Sequence, residues 1–351
     1  MAPWIKKLLA SCAFALAAGA AHAADLAPLN SDTERDRIGW SELQGKLGEV
    51  PAAPKGARIG GVSKTLTNEY WRSLGEGYQA YAKKAGVEVV YQAAQSEGDQ
   101  LGQLSIAENL ISQGFNALLL SPQTDSNLQP VLESAEAQGI PVINVNDAVI
   151  PSVRHYVGNV QRDNGARVAK WFLKHRPEGG KVAVVEGQAG VFAAGQRTRG
   201  FSETIKQGGK FTVVSSVPGN WDRQIAYDAA STILQQNPDL VGFYANNDGM
   251  ALGVVEAVKA AGLKDKVVVF GTDGISDAYA SIRAGDLTGT VDSFPVLTGE
   301  VAMEVALRLL GKQALPRVVS TPQALITKDN AESFAVKGDA LRKVLLSQPA
   351  E

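Results

Sequence analysis

The chain has 351 residues, 45% hydrophobic and 20% charged, with a single cysteine and a formal net charge of −2. That length exceeds one typical core and implies two domains. The near-balanced charge leaves no basic excess to hold nucleic acid by counterion release.

Residues 1–23 have the layout of a secretory signal peptide. Lys6 and Lys7 form a positive start, residues 8–18 are an apolar run too short to span a bilayer, and Ala21-His22-Ala23 offers small residues before a cut. The mature chain is expected to begin at Ala24, in the periplasm. Cys12 leaves with the leader, so no disulfide, thiol nucleophile or cysteine metal site is expected. Losing Lys6 and Lys7 takes the formal net charge from −2 to −4. Leu9-Ala10-Ser11-Cys12 also fits a lipoprotein box, which would anchor the protein by lipid, although the apolar stretch before Cys12 is short for one.

Residues 24–56 are polar, with Asp32, Glu34, Arg35, Asp36 and Arg37, then Pro51 and Pro54. They carry no strand signal. Trp40 and Leu43 suit a short helix packed on the body. The segment reads as a surface extension or as a partner-binding element.

From Ala57 the pattern alternates. Strand-like runs fall at 58–62, 87–92, 117–121, 142–146, 182–185, 211–215, 241–245, 267–271 and 287–294. Helical periodicity falls between them, at 70–84, 101–112, 128–137, 165–174, 201–206, 222–235, 250–260 and 296–310. Such alternation predicts α/β architecture: parallel sheets, helices on both faces and right-handed crossovers. Gly86, Gly114, Gly139 and Gly262 stand where left-handed helix C-caps belong. The alternation forms two blocks, about 57–158 and 160–290, read as two doubly wound domains without a detectable repeat.

In open α/β sheets ligands bind beyond the carboxyl ends of strands. Polar residues gather there: Ser121, Asn146 and Asp147, Asn246-Asn247-Asp248, and Asp273. Lys64, Asn68, Tyr70 and Trp71 follow the first strand, and Trp221, Asp222 and Arg223 follow the strand-like run at 211–215. Each Asn or Asp fits a helix N-cap equally well, and each Trp fits a core. Together they span both blocks and describe a cleft. Carboxylates and amides pair with hydroxyls, aromatic faces cover sugar C–H faces, and a small polyhydroxylated ligand follows.

At these residues the chain resembles a periplasmic sugar-binding protein of ABC import systems, of the ribose-binding type. The resemblance spans about 57–330. It rests on Thr65-Leu66-Thr67-Asn68-Glu69-Tyr70-Trp71, Leu120-Ser121-Pro122, Pro141-Val142-Ile143, the run Ala245 to Gly253, and Gly271-Thr272-Asp273-Gly274. It implies two lobes joined by three crossing segments near Asn159, Phe294 and Thr321. The lobes would comprise 57–159 with 294–321, and 160–293 with 322–340, followed by a tail at 341–351. It carries ligand roles onto Asn68, Tyr70, Trp71, Asn146, Asp147, Trp221, Asn247 and Asp273, and puts Ser293 where the family has a glutamine. Phe192 completes the candidate set, and Gln196 reaches in after Gly195. Departures are Lys64 for a small hydroxyl residue, a smaller Ser121, and loss of both sugar-clamping arginines, whose positions match Asp147 and Gly195. Arg197 is either within reach of the cleft or a surface or supporting residue. The ligand is therefore expected not to be ribose but another monosaccharide, a furanose or a sugar alcohol; the added acid also suits an amine-bearing ligand.

No cofactor or metal is expected, and the implied partner is an ABC transporter permease. A sensor role, presenting the bound form to a histidine kinase or chemoreceptor, requires the same cleft. An enzyme is disfavoured because no nucleophile elbow, Walker loop, zinc-protease helix or dinucleotide fingerprint occurs, and His155 and His175 suit structural places. A sugar-responsive repressor would need a basic helix-turn-helix where the leader stands.

Overall fold

The computed structural model describes residues 26–348; the expected leader and Cys12 lie outside them. The first described segment holds strand β1 (Arg37–Gly39), a 3-10 turn (Trp40–Glu42) and helix α1 (Leu43–Leu47). Alternation follows through β2 (Arg58–Ser63), α2 (Glu69–Ala85), β3 (Glu88–Ala93), α3 (Gln100–Ser112), β4 (Ala117–Leu120), α4 (Gln129–Ala137), β5 (Val142–Val145) and β6 (His155–Gly158). It continues with α5 (Gln161–His175), β7 (Gly180–Glu186), α6 (Phe192–Lys206), β8 (Phe211–Pro218), α7 (Arg223–Gln236), β9 (Leu240–Ala245), α8 (Asp248–Ala260), β10 (Val268–Asp273), α9 (Ser276–Ala284) and β11 (Gly289–Asp292). The last elements are α10 (Pro295–Leu310), β12 (Val318–Ser320), β13 (Ala324–Thr327), α11 (Ala331–Phe334) and α12 (Gly338–Ser347).

Two sheets result, one per lobe. The first is parallel throughout, in the order β1-β12-β6-β5-β4-β2-β3. The second runs β13-β11-β10-β9-β7-β8, with only β13 antiparallel. Strands buried on both faces read as unbroken apolar runs, and Ala117, Leu118, Leu119 and Leu120 of β4 are all fully buried. Leu110, Leu118, Leu132 and Tyr156 pack under the first sheet, and Phe172, Phe201, Tyr244 and Phe270 under the second. Full burial of one such side chain stabilises by about 1.5–3 kcal/mol. Gly86, Gly114, Gly139 and Gly262 all have positive φ.

The chain passes between the sheets three times: after β6, after β11 and after β12. Asn159 lies in the first passage and donates from Nδ2 to Ser293 Oγ in the second, at 2.8 Å.

Several elements differ from the sequence expectation. Residues 24–56 do contain a strand: β1 pairs in parallel with β12, with Ile38 buried between two half-buried neighbours. Three residues with one apolar side chain show no periodicity, and only the distant partner makes them a strand. Helix α6 begins at Phe192 rather than 201. The expected tail contains α12, whose Leu341, Val344 and Leu345 pack on the core while Arg342 pairs with Glu300 of α10. No helix among the described residues is long and apolar enough to cross a membrane.

Candidate ligand-binding cleft

The carboxyl ends of both sheets face one another across a small cavity. Asn68, Tyr70, Trp71, Glu97, Asn146 and Asp147 line it from the first lobe, and Arg197, Trp221, Asn247 and Asp273 from the second. The lobes touch across it: Ser276 donates from its backbone N and its Oγ to Glu69, at 3.0 and 2.7 Å. Ala193 N also donates to Asp147 O at 3.2 Å.

Backbone geometry aims these side chains. Asn146 and Asp147 follow β5 in successive left-handed conformations, φ 51° and 59°, which short polar side chains tolerate. Trp221 is left-handed as well, φ 66°. Its ring lies so close to Gly187 that a Cβ there would sit 2.1 Å from the indole, so only glycine fits. Asn68 and Asn247 cap α2 and α8, their Oδ1 atoms accepting from Tyr70 N and Met250 N at 2.9 Å each. Capping occupies an amide oxygen but leaves the NH2 group. One asparagine thus caps a helix and lines the cavity at once, so the two readings left open by the sequence do not compete. Asp248 Oδ2 accepts from Gly274 N and Ile275 N at 2.8 and 3.1 Å, which fixes the turn bearing Asp273.

Charge is concentrated here. Lys64, fully buried, forms an ion pair with Asp147. Its ammonium lies 5.8 Å from the Trp71 ring and 5.4 Å from the Trp221 ring, within cation–π range. Arg197 lies 3.8 Å from Asp147 and 3.7 Å from Asp273. Burial pushes the Asp273 carboxyl well above the usual carboxylate range, against the pull of Arg197. Burial also raises Glu97, against the pull of Lys64. Among the described residues no group of three or more His, Cys, Asp or Glu side chains is arranged to hold a metal ion.

Arg197, which the sequence left either within reach of the cleft or outside it, lines the cavity, while positions 147 and 195 carry no arginine. A Cβ on Gly165 would come 2.0 Å from Arg197 O, and one on Gly200 1.9 Å from Arg162 O. The glycines let α5 and α6 cross in backbone contact, and Arg197 then points inward. It donates from Nε to Gln161 Oε1 at 2.9 Å and from Nη1 to Asn246 O at 2.8 Å. Ala193, Ala194, Arg197, Gly200 and Phe201 form the buried face of α6. That 3.6-residue stripe was the available signal, obscured because the helix was expected to begin at 201. Gln161 was missed: it joins Arg197 to Asn146 Oδ1 at 2.9 Å and Asn159 Oδ1 at 2.7 Å. Glu97, in the loop after β3, belongs to no motif, yet its Oε1 accepts from Trp71 Nε1 at 3.1 Å.

Five expected residues do not line the cavity. Lys64 is fully buried and reaches the site only through its ion pair with Asp147. Ser121 donates to Val145 O at 2.7 Å, tying β4 to β5. Ser293 Oγ is engaged by Asn159. Phe192, although on α6, packs against the apolar cluster of the first lobe. Gln196 precedes Arg197 and falls off the inward face of α6. The short serine side chains end at neighbouring backbone or at the crossing segments, and the helical turn sets Phe192 and Gln196 aside.

A periplasmic binding protein domain matches residues 59–314. The D-allose-binding periplasmic protein of Escherichia coli K12 is 36% identical over 253 residues, 70% of this chain and 81% of that one. The ribose import binding protein RbsB of Bacillus subtilis 168 is 35% identical over 271 residues, 77% and 87% of the two chains. An ABC transporter periplasmic solute binding protein from Actinobacillus succinogenes 130z, solved with bound D-allose, superimposes with a TM-score of 0.76. It is 30% identical and is matched over 79% of this chain and 99% of that one. With its two parallel-sheet lobes facing one polar, tryptophan-lined cavity, the chain belongs to the periplasmic binding protein family.

Proposed function

We propose that the protein captures a neutral monosaccharide or sugar alcohol between its lobes and delivers it to an ABC import permease. A hexose of the allose type stands ahead of ribose. The observation carrying this reading is the cavity itself: two indoles together with an excess of acceptors. Asp147, Asp273 and Glu97 accept, while Asn68 and Asn247 retain amide donors, a pattern suited to several ligand hydroxyls. A sugar acid or phosphate would add negative charge to a site whose three carboxyl groups already outnumber the Lys64 and Arg197 cations. The similarity to D-allose- and ribose-binding proteins supports the same class. The solved relative with D-allose is an ABC transporter component, which supports import rather than sensing. Asn68, Trp71, Asp147, Trp221, Asn247 and Asp273 are the proposed ligand contacts. The passages at Asn159, Phe294 and Thr321 are the proposed hinge, and residues 1–23 the proposed export signal to the periplasm. A ligand must favour the closed form differentially, since equal affinity for both forms shifts nothing.

The test is thermal unfolding of the mature chain against pentoses, hexoses, furanoses and sugar alcohols. A ligand at about a hundred times its dissociation constant adds roughly 2.7 kcal/mol, several degrees for a chain of this size. A shift confined to a few stereoisomers is expected. No shift for any of them, with folded and ligand-free protein, overturns the reading.

A further inference from the structure

Glu97 is the one cavity carboxylate that no family motif pointed to, and its two oxygens have different surroundings. Oε1 accepts from the Trp71 indole at 3.1 Å. Oε2 is buried and makes no hydrogen bond of good geometry, although the Asn68 side chain approaches the same carboxylate. A buried acceptor left unpaired costs about 1–3 kcal/mol, so a protein keeps one where something else fills it. The residue lines the cavity beside Trp71 and Asn68. By contrast, Asn146 Oδ1 accepts from Gln161 Nε2 at 2.9 Å, and Asn246 Oδ1 from Gly187 N at 3.0 Å. Asp147 is paired with Lys64.

We propose that Glu97 is a specificity-determining residue whose Oε2 accepts a hydrogen bond from one hydroxyl of the bound sugar. Through Oε1 the same carboxylate fixes the plane of the Trp71 indole. This inference rests on the sugar-binding reading above and deepens it: one hydroxyl of the ligand is obligatory at the Glu97 end of the cavity. A ligand lacking it leaves a buried carboxylate oxygen unsatisfied and is rejected. A site built to bond a hydroxyl rejects the analogue without it far more strongly than an apolar pocket rejects a missing methylene.

The two functions of the carboxylate separate experimentally. In Glu97→Gln the amide oxygen still accepts from Trp71, while an NH2 group replaces Oε2. Trp71→Phe removes the indole donor and leaves Glu97 intact. Affinities for D-allose, D-ribose and their monodeoxy analogues are measured by titration calorimetry on wild type, both single variants and the double variant, with thermal unfolding confirming that each is folded. The expected result is a loss of roughly ten- to a hundredfold in E97Q, and a comparable loss when E97Q is added to W71F. One monodeoxy analogue should bind wild type roughly tenfold or more weakly than its parent, yet lose nothing further on E97Q. Wild-type affinity in E97Q overturns the proposal. So does a loss that vanishes in the W71F background, which would reduce Glu97 to a support for Trp71. If wild type binds neither sugar, the sugar-binding reading fails first and Glu97 loses its ligand with it; that outcome is distinct, because wild type itself is then silent.

Discussion

Lys64 and Asp147, 83 positions apart in sequence, form a buried ion pair at the carboxyl ends of neighbouring parts of one sheet, with the ammonium turned toward an indole from each lobe. Two charges taken out of water are favourable only as a pair, and removing one partner leaves the other uncompensated. Lys64→Met is therefore expected to destabilise the ligand-free protein by about 3 kcal/mol. Adding Asp147→Asn, which keeps a short polar side chain at this left-handed position, should recover most of that loss without restoring sugar binding. Urea unfolding midpoints check the first statement and calorimetric titration the second. Equal midpoints for wild type and the single variant would mean the pair contributes nothing to stability.

Asp273 places function against stability at one position. Its backbone has φ 135°, a region nearly confined to glycine and costing other residues about 1–3 kcal/mol. Its carboxyl is buried and held with Asp248 and Arg197 nearby. Asp273→Gly removes both burdens. The expected outcome is a higher melting temperature together with loss of sugar binding of a hundredfold or more. A variant that melts lower than wild type would show that the strain is compensated by contacts of the side chain.

Much of this was legible in the sequence because it is local. Alternating apolar runs and helical stripes exposed the two blocks, and strand-end polar residues exposed Asn68, Asn146, Asp147, Asn247 and Asp273 as cavity-lining positions. What was not legible depends on distant partners. The strand β1 exists because β12 lies beside it. Arg197 enters the cleft because α5 and α6 meet at Gly165 and Gly200. Ser121 and Ser293 stand near the right strand ends, but their hydroxyls bond Val145 O and Asn159. Spacing along the chain cannot reveal which neighbour a short hydroxyl will find.

Asp292 gives stability a pH dependence. Burial pushes its carboxyl up to about 7, against hydrogen bonds from Phe294 N at 2.7 Å and the Tyr279 hydroxyl at 2.8 Å. Between the unfolded value of 3.8 and about 7 the native state holds a proton that the unfolded state releases. This group's contribution therefore falls as pH rises through that window, by up to about 1.4 kcal/mol per pH unit, and is constant above it. Asp292→Asn keeps an acceptor for Phe294 N and carries no titrating proton. Its melting temperature, relative to wild type, should climb from pH 5 to pH 7 and level off by pH 8. A difference that does not vary with pH would assign the titration elsewhere.

Asp32 links the N-terminal segment to the second lobe. Its Oδ1 accepts from Gln161 N at 2.8 Å and its Oδ2 from Arg162 N at 2.7 Å. These are donors of the first turn of α5, whose own N-cap position is Val160, without a capping side chain. A helix start leaves such N–H groups unsatisfied, and here a carboxylate from well over a hundred residues earlier satisfies two of them while facing the positive end of the helix dipole. The segment that presents it is fixed to the first lobe by β1 and by Arg317, which donates from Nη1 to Ala27 O at 2.8 Å and from Nη2 to Val153 O at 3.0 Å. Asp32 thus ties the anchored segment of one lobe to the first helix of the other, next to the passage at Asn159. Gln161, the residue it holds, positions Arg197. Asp32→Ala should cost about 1–2 kcal/mol of stability and weaken sugar binding severalfold through a looser Arg197, whereas Asp32→Asn, which keeps one acceptor, should lose less of both. Thermal unfolding and titration of the two variants check the order. If Asp32→Ala melts with wild type, α5 is capped adequately by water, and the N-terminal segment contributes to the first lobe alone.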